Sequence, residues 1–273
     1  MTREEFDASY VVGNLDFRDA DMSGANMSGA NMSDADMCDA DMSGANMSGA
    51  NMSGANMRDA DMSGANMSGA NMSGANMSGA NMRRADMRDA NTSGADMRRA
   101  DMRGANMSGA DMCDANMSGA DMRDANMSGA DMRDANMSGA NMSGANMRDA
   151  NMSGAEMRDA NMSGANMSGA NMSGANMRRA DMRGANMSGA DTSNIGIIHG
   201  GQRSDGYVFL ARRDKTTRIQ AGCRDFTIAE AREHWTKTRG GTTLGEESLA
   251  IVDHLERMAK IAGWPEVTSQ GED

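Results

Sequence analysis

An alanine occupies every fifth position from Ala20 to Ala190, and no insertion interrupts the series. Asn or Asp follows the alanine except at Glu156, and Met comes next at 33 of the 34 positions from Met22 to Met187. A period of five matches neither the α-helical turn of about 3.6 residues nor the alternation of a β-strand. The chain must therefore change direction once in every repeat.

The residues within a repeat indicate how it turns. Ala and Met are two positions apart, so in an extended segment they face one side and the Asn or Asp between them faces the other. The last two positions are commonly Ser-Gly, a pair typical of β-turns because Gly tolerates positive φ. We predict a short strand and a turn in each repeat, with Ala and Met inside a closed coil.

The distribution of Asp indicates the number of sides, because residues one full turn apart share an environment. Numbered from Leu15 and sorted by four, the 36 repeats carry three, six, one and three Asp per class of nine. Sorted by three, the counts are nearly equal, which favours four sides. The coil then takes 20 residues, and about nine coils at about 4.8 Å each give a rod of roughly 43 Å.

The Asp-rich class defines a candidate acidic interaction face. Stacked carboxylates repel one another unless they are paired, so this side is an electrostatic feature. Arginines project from turns on the same side, which predicts partial neutralisation: Arg83, Arg84, Arg103, Arg123 and Arg183. The candidate site residues of this face are Asp21, Asp41, Asp61, Asp101, Asp121 and Asp181.

This repeat resembles the pentapeptide-repeat family, whose members form square right-handed β-helices. The resemblance implies an all-β solenoid, a right-handed quadrilateral β-helix. After Asp191 the period ends, and the strand and helix patterns there predict a small α/β C-terminal domain. The family usually has Leu or Phe where this chain has Met, so a large apolar side chain is typical of this position. Because Thr is smaller and polar, we expect Thr92 and Thr192 to be weak points of the coil. A thioether column that binds Cu(I) is the alternative to a packed Met core. Because an axial core needs a large apolar residue, we predict no metal site and no cofactor.

Periodicity and composition divide the chain into four segments. We predict an N-terminal cap over 1–14, the β-helix over 15–194, a C-terminal module over 195–264 and a flexible tail over 265–273. In the module, Gly200-Gly201 predicts a turn. The patterns further predict a hairpin with strands over 207–211 and 217–221, a helix over 231–237 that follows a capping box at Thr227, and an amphipathic helix over 247–262.

The module resembles a small domain that follows pentapeptide repeats in bacteriophage and prophage proteins, which implies a phage origin. The resemblance lies in the string from Ile197 to Trp235. Cys223, His199 and His234 lack an oxyanion-hole motif or a recognisable spacing, so we predict that the chain is not an enzyme. Its three scattered cysteines are expected to be free thiols.

Charge and hydropathy limit the partners. The net charge is −12, and residues 15–194 carry 24 acidic side chains against 15 arginines, which disfavours direct binding of nucleic acid. With no apolar run of about 18 residues and no signal peptide, we expect no membrane partner. The expected location is the bacterial host cytosol, and association with the virion is left open.

Two functions follow from these observations. One is a non-catalytic, phage-encoded scaffold that presents flat faces and the C-terminal module to an unidentified protein partner. The alternative, implied by the family resemblance, is a DNA mimic that binds DNA gyrase or another DNA-binding protein. DNA of 43 Å carries about 25 charges, against a net −9 here, so the scaffold is favoured. Homo-oligomerisation through the amphipathic helix of the module is also left open.

Overall fold

The structure is a computed structural model, and the chain divides into two compact units at the end of the repeats. The first unit contains the repeats up to Asp191 except residues 183–185, which are grouped with the second unit together with the chain from Thr192 onward. The predicted cap over 1–14 and tail over 265–273 lie outside the described residues. The structure describes residues 15–192, 197–202, 208–213, 217–221 and 224–261.

The first unit is a coil with four repeats per turn. Asp16 forms a parallel bridge with Asp36, and the same 20-residue offset continues up to the bridge between Asn171 and Asp191. The prediction of four sides is therefore confirmed. We number the coils from residues 15–34 as coil 1, with 20 residues in each, and the faces from the one that contains Asp16.

Backbone hydrogen bonds hold each coil on the next. The Met22 N–H donates to the Asp41 carbonyl at 2.7 Å, and the Asp41 N–H donates to the Ala20 carbonyl at 3.0 Å. At the corner, the Ala25 N–H donates to the Met22 carbonyl at 3.0 Å and Gly24 has φ 63°. One positive φ at the third position of the turn is the type II pattern. Each repeat is thus a strand and a β-turn, as the sequence predicts.

The lumen is filled by the two apolar positions of the repeat. All methionines from Met22 to Met187 are buried, with at most 5% of any Ala or Met from Ala30 to Met187 exposed. Thr92, which replaces Met in coil 4, is also buried, and its hydroxyl donates to the Asp111 carbonyl at 3.2 Å. The predicted inward orientation of Ala and Met is confirmed.

The Asn or Asp position serves the turn and the stack together. The Oδ1 atom accepts the backbone N–H two residues later, as from Ser43 to Asp41 at 2.9 Å. Asn side chains also bond between coils, for example Asn126 Nδ2 to Asn106 Oδ1 at 3.2 Å. This double role explains why only short side chains with an acceptor oxygen suit nearly every repeat.

The second unit contains a four-stranded antiparallel sheet in the order β1-β2-β3-β4. Gly200 and Gly201 lie within β1, and the register shifts between His199 and Gly201. The predicted turn there is wrong, because glycines inside a strand accommodate a bulge. The strands are β1 (Ile197–Gln202), β2 (Val208–Arg213), β3 (Thr217–Ala221) and β4 (Arg224–Thr227).

Two helices complete this unit, α1 (Ile228–Arg239) and α2 (Thr243–Ile261). The predicted capping box is present: the Thr227 hydroxyl accepts the Glu230 N–H at 3.1 Å, and the Glu230 carboxylate accepts the Thr227 N–H at 2.7 Å. Both helices begin earlier than the apolar pattern alone predicts. Neither described helix combines the length and hydrophobicity that a bilayer crossing requires.

The apolar side of α2 packs inside its own unit. Val252 and Leu255 are fully buried in a cluster that includes Ile219 and Trp235. This packing occupies the side of the helix that the sequence offered for pairing two chains. Ala262, the last residue of that predicted side, lies outside the described residues.

Candidate functional site

The second face brings together the predicted acidic residues. Consecutive bridges join Asp21 to Asp41 and Asp41 to Asp61, and a further bridge joins Asp101 to Asp121. Asn81 separates the two groups, and Asn141 and Asn161 precede Asp181 on the same face. The six predicted residues therefore share one face, in two clusters and one separate member.

The first cluster lies on coils 1–3. The Ser23 hydroxyl donates to Asp21 at 2.6 Å and lowers its pKa. Partial burial raises the pKa of Asp61, but hydrogen bonds from Ser63 and Asn81 outweigh burial, so its pKa is lowered. Hydroxyl, amide and backbone N–H groups thus stabilise the charged form of Asp21 and of Asp61.

The edge before this cluster is acidic as well. Asp19, Asp39 and Asp59 occupy the last turn position before the second face in coils 1–3, and all three are exposed. Asp59 lies 3.4 Å from Arg58. We call this edge together with Asp21, Asp41 and Asp61 the acidic half of the second face.

Coils 4–6 differ because arginines line both edges of the same face. The Arg103 guanidinium pairs with Asp101 at 2.6 Å and reaches Asp121 in the next coil at 3.8 Å. Arg123 pairs with Asp121 at 2.6 Å. These hydrogen bonds hold the pKa of Asp101 and of Asp121 below the usual value. The predicted partial neutralisation is confirmed for Arg83, Arg103 and Arg123.

Two further arginines, Arg84 and Arg99, have no ion-pair partner among the described residues. Both are exposed and have φ 57°. Positive φ costs a non-glycine residue roughly 1–2 kcal/mol, so these positions hold a cation where Gly would be less strained. Arg84 lines an open cleft of about 560 Å³ with Arg83 and Arg103. Arg99 lines another, of about 400 Å³, with Arg98 and Asp59.

The second face is consequently polarised along the coil axis. Its acidic half has six aspartates and two arginines on the same edge, Arg18 and Arg58, a net charge of −4. We call the part in coils 4–6 the basic half, where six arginines stand against three aspartates, a net charge of +3: Arg83, Arg84, Arg98, Arg99, Arg103 and Arg123 against Asp101, Asp121 and Asp124. The uneven distribution of Asp among the four faces indicates the second face. Its polarity becomes evident only when aspartates and arginines are both counted in each coil.

The candidate catalytic residues do not form a site in the described residues. His234 stacks on the Phe226 ring at 5.1 Å and contacts Trp235 edge-on, which is a packing role. Cys223 and the side chain of His199 lie outside the described residues. Among the residues described, no group of three or more His, Cys, Asp or Glu is placed to hold a metal ion.

Cys38 and Cys113 are free thiols at turns of the coil. Arg58 donates to Cys38 Sγ at 3.3 Å, and the hydrogen bond from Cys38 to Asp39, followed by burial, raises the thiol pKa. Burial and two neighbouring carboxylates raise the pKa of Cys113 to about 11. Raised pKa values keep both groups as weakly nucleophilic thiols.

Five-residue strand-and-turn units stacked four to a coil define a β-solenoid. The model of pentapeptide repeats matches this chain with eight copies over residues 16–54, 45–89, 80–119, 115–154 and 155–191. The chain belongs to the pentapeptide-repeat family, whose members form right-handed quadrilateral β-helices. The comparison with curated proteins gives no match.

Several solved structures are similar to the chain. HetL, a pentapeptide repeat protein involved in heterocyst differentiation regulation from Nostoc sp. strain PCC 7120, is 26% identical with TM-score 0.45, over 71% of this chain and 94% of HetL. A trypsin-treated variant of QnrB1, a plasmid-mediated fluoroquinolone resistance protein, is 25% identical with TM-score 0.36. The match covers 54% of this chain and 76% of the QnrB1 chain. A pentapeptide repeat protein of the Arabidopsis thaliana thylakoid lumen is 32% identical with TM-score 0.30. The match covers 40% of this chain and 72% of the Arabidopsis chain.

Proposed function

We propose that this chain is a non-catalytic scaffold whose second face binds a protein partner. The polarity of that face carries the proposal, because neighbouring halves of one flat surface hold opposite net charge. Complementary charge steers encounter and fixes register more than it adds affinity. Pentapeptide-repeat proteins are generally non-enzymatic interaction proteins, which agrees with this role.

The proposed scaffold has about nine coils over residues 15–194 and carries the C-terminal unit as a second interaction module. Its proposed setting is the cytosol of a bacterium infected by the phage that encodes it, which rests on the resemblance of the C-terminal segment. Mass spectrometry of infected-cell fractions and of purified virions tests this setting. Absence of the protein from both would contradict it.

The test of the binding face uses Asp→Asn substitutions, because Asn already fills the same position in most repeats and keeps the acceptor oxygen. The triple variant D21N/D41N/D61N removes three charges from the acidic half. Its matched control, D36N/D96N/D111N, removes three charges from the first and fourth faces. Affinity capture from infected cells should recover a partner with the wild type and the control, and lose it with the first variant. Equal capture by all three proteins would refute the proposal.

A DNA mimic is the second candidate, and the charge of coils 1–3 favours it. Residues 15–74 contain nine acidic side chains and two arginines, a net charge of −7. Three layers span about 14 Å, over which DNA carries about eight charges. The acidic end therefore approaches the charge density of DNA locally, although the whole rod does not.

DNA gyrase provides the direct test of this candidate. A mimic should inhibit supercoiling by gyrase or protect the enzyme at micromolar concentration, and D21N/D41N/D61N should lose the effect while D36N/D96N/D111N keeps it. If the wild type has no effect on supercoiling, a mimic that acts on gyrase is excluded and the scaffold remains.

A further inference from the structure

We propose that the second face of one chain pairs with the second face of a second copy in antiparallel orientation. This inference rests on the proposed function, since it names a partner for the same surface. The acidic half occupies coils 1–3 and the basic half coils 4–6, so the two halves have equal length. A face with adjacent halves of opposite net charge is self-complementary when one copy is inverted.

The geometry of a two-fold axis determines which residues meet. For antiparallel rods the axis lies in the interface, perpendicular to the rods, between coils 3 and 4. Coil 1 of one chain then faces coil 6 of the other, coil 2 faces coil 5, and coil 3 faces coil 4. The axis also places each edge of the face against the same edge of the second copy.

This register places the acidic coils opposite the arginine-bearing coils in each of the three layers. At the strand positions Asp21 faces Asp121 and Asp41 faces Asp101, and in each pair the second carboxylate is already neutralised, by Arg123 and by Arg103. Asp39 in coil 2 lies opposite Arg99 in coil 5, and symmetry repeats the contact. Asp61 faces the coil that carries Arg83 and Arg84, and Asp21 faces the coil that carries Arg123. A parallel pair would instead place the acidic half on itself, which is repulsive.

The basic half has space for the incoming carboxylates. The cleft beside Arg99 opens on the edge that would face Asp39 of the second copy. Because Arg99 has no ion-pair partner among the described residues, a carboxylate can bind it without displacing another. Arg103 is already paired with Asp101 at 2.6 Å, and it still presents donors that the pair does not use.

The size of the surface sets the strength of the association. Six layers span about 29 Å, and a strand of three residues gives a face about 10 Å wide. About 300 Å² per chain is well below the roughly 800 Å² per partner of a standard stable interface. The dimer is therefore weak and salt-dependent. Because each chain carries a net −12, association also needs enough salt to screen long-range repulsion, about 0.1 M.

The test exchanges the charges of the Asp39 and Arg99 pair. Both residues occupy the same turn position with positive φ, where Asp and Arg each occur elsewhere in the chain, so D39R and R99D suit the backbone. Each single variant creates two symmetric repulsive contacts, and the double variant D39R/R99D restores both attractions at unchanged net charge. The controls D159R and R179D make the same changes at the same turn position outside coils 1–6.

Sedimentation equilibrium of the purified full chain, at up to roughly 200 μM and in 0.1 M and 0.5 M NaCl, measures the outcome. We expect a monomer–dimer equilibrium at 0.1 M that weakens at 0.5 M. Each single variant should weaken it roughly 10- to 30-fold, the double variant should recover it, and the controls should match the wild type.

Two results would overturn the pairing. One is a wild type that stays monomeric in both salts. The other is a dimer that D39R and R99D leave unchanged or that D39R/R99D fails to restore. Neither result touches the proposed function, because capture of another protein by the wild type and its loss in D21N/D41N/D61N are measured separately.

Discussion

Replacing Thr92 by Met should stabilise the coil, because it restores the side chain that every neighbouring repeat holds at this depth. Met72 and Met112 lie directly before and after Thr92 on the same face, and both are buried. The backbone there is already regular. The Thr92 N–H donates to the Asp111 carbonyl at 2.7 Å, and the Met72 N–H donates to the Asn91 carbonyl at the same distance. A methionine should therefore fit without a shift of the coil.

The expected gain follows from the groups exchanged. Met adds about two methylene equivalents of buried apolar surface over Thr, at about 0.8 kcal/mol each. The lost Thr92 hydroxyl bond contributes about 0.5–1.5 kcal/mol, but it uses the Asp111 carbonyl, which already accepts the Thr92 N–H. We expect T92M to raise the free energy of unfolding by about 1 kcal/mol.

Urea unfolding followed by circular dichroism measures the global change, and native-state hydrogen exchange measures it in coils 3–6. The local measurement is needed because each coil of a solenoid contacts only its neighbours. The reverse substitution M72T in coil 3 is the matched control and should cost about 1–3 kcal/mol. If M72T destabilises the protein and T92M does too, the lumen at Thr92 does not have room for Met and the reasoning fails.

The remaining predictions concern charge, thiols and turns. The pKa of Asp101 and of Asp121 lies below 3.8 when folded, so their stabilising effect is complete above pH 3.8 and is lost as pH falls below it. The urea midpoint should therefore fall as the pH is lowered below 3.8. The fall should be smaller in R123S, because Asp121 loses the hydrogen bond that lowers its pKa. Cys113, with a pKa of about 11, should react with iodoacetamide at pH 8 far more slowly when folded than in urea, as read by peptide mass spectrometry. G79A and G74A should lower the urea midpoint by similar amounts, because both glycines have positive φ and the exposed Asp59 carboxylate, whose Oδ1 would lie 2.1 Å from the added Cβ of G79A, can rotate away.

The repeat could be predicted well because one short pattern fixes it many times. Every alanine and methionine of the series obeys the same inward rule, and the uneven distribution of Asp reveals the 20-residue offset that the bridge from Asp21 to Asp41 displays. Uniformity is also why the pairing of Arg103 with Asp101 is predictable: residues two apart at a fixed turn must come close.

The C-terminal unit could be predicted only in part. The capping box at Thr227 is a local signal and is present, whereas β4 (Arg224–Thr227) is a short segment with no alternating pattern to reveal it. The bulge at Gly201 depends on how β1 pairs with β2, where Gly201 lies opposite Phe209. The sequence of β1 alone does not determine that pairing. The polarity of the second face was missed for a different reason, since counting Asp alone hides where the arginines lie.

Methionine oxidation tests the burial of the lumen most directly. Dilute hydrogen peroxide is added to the folded protein, and peptide mass spectrometry follows each sulfoxide with time. Met258 in α2, which is half-buried, provides the internal reference. The structure predicts that Met258 oxidises while Met22 to Met187 stay reduced until urea unfolds the coil. Oxidation of the repeat methionines as fast as Met258 in the folded protein would contradict a lumen filled by their side chains.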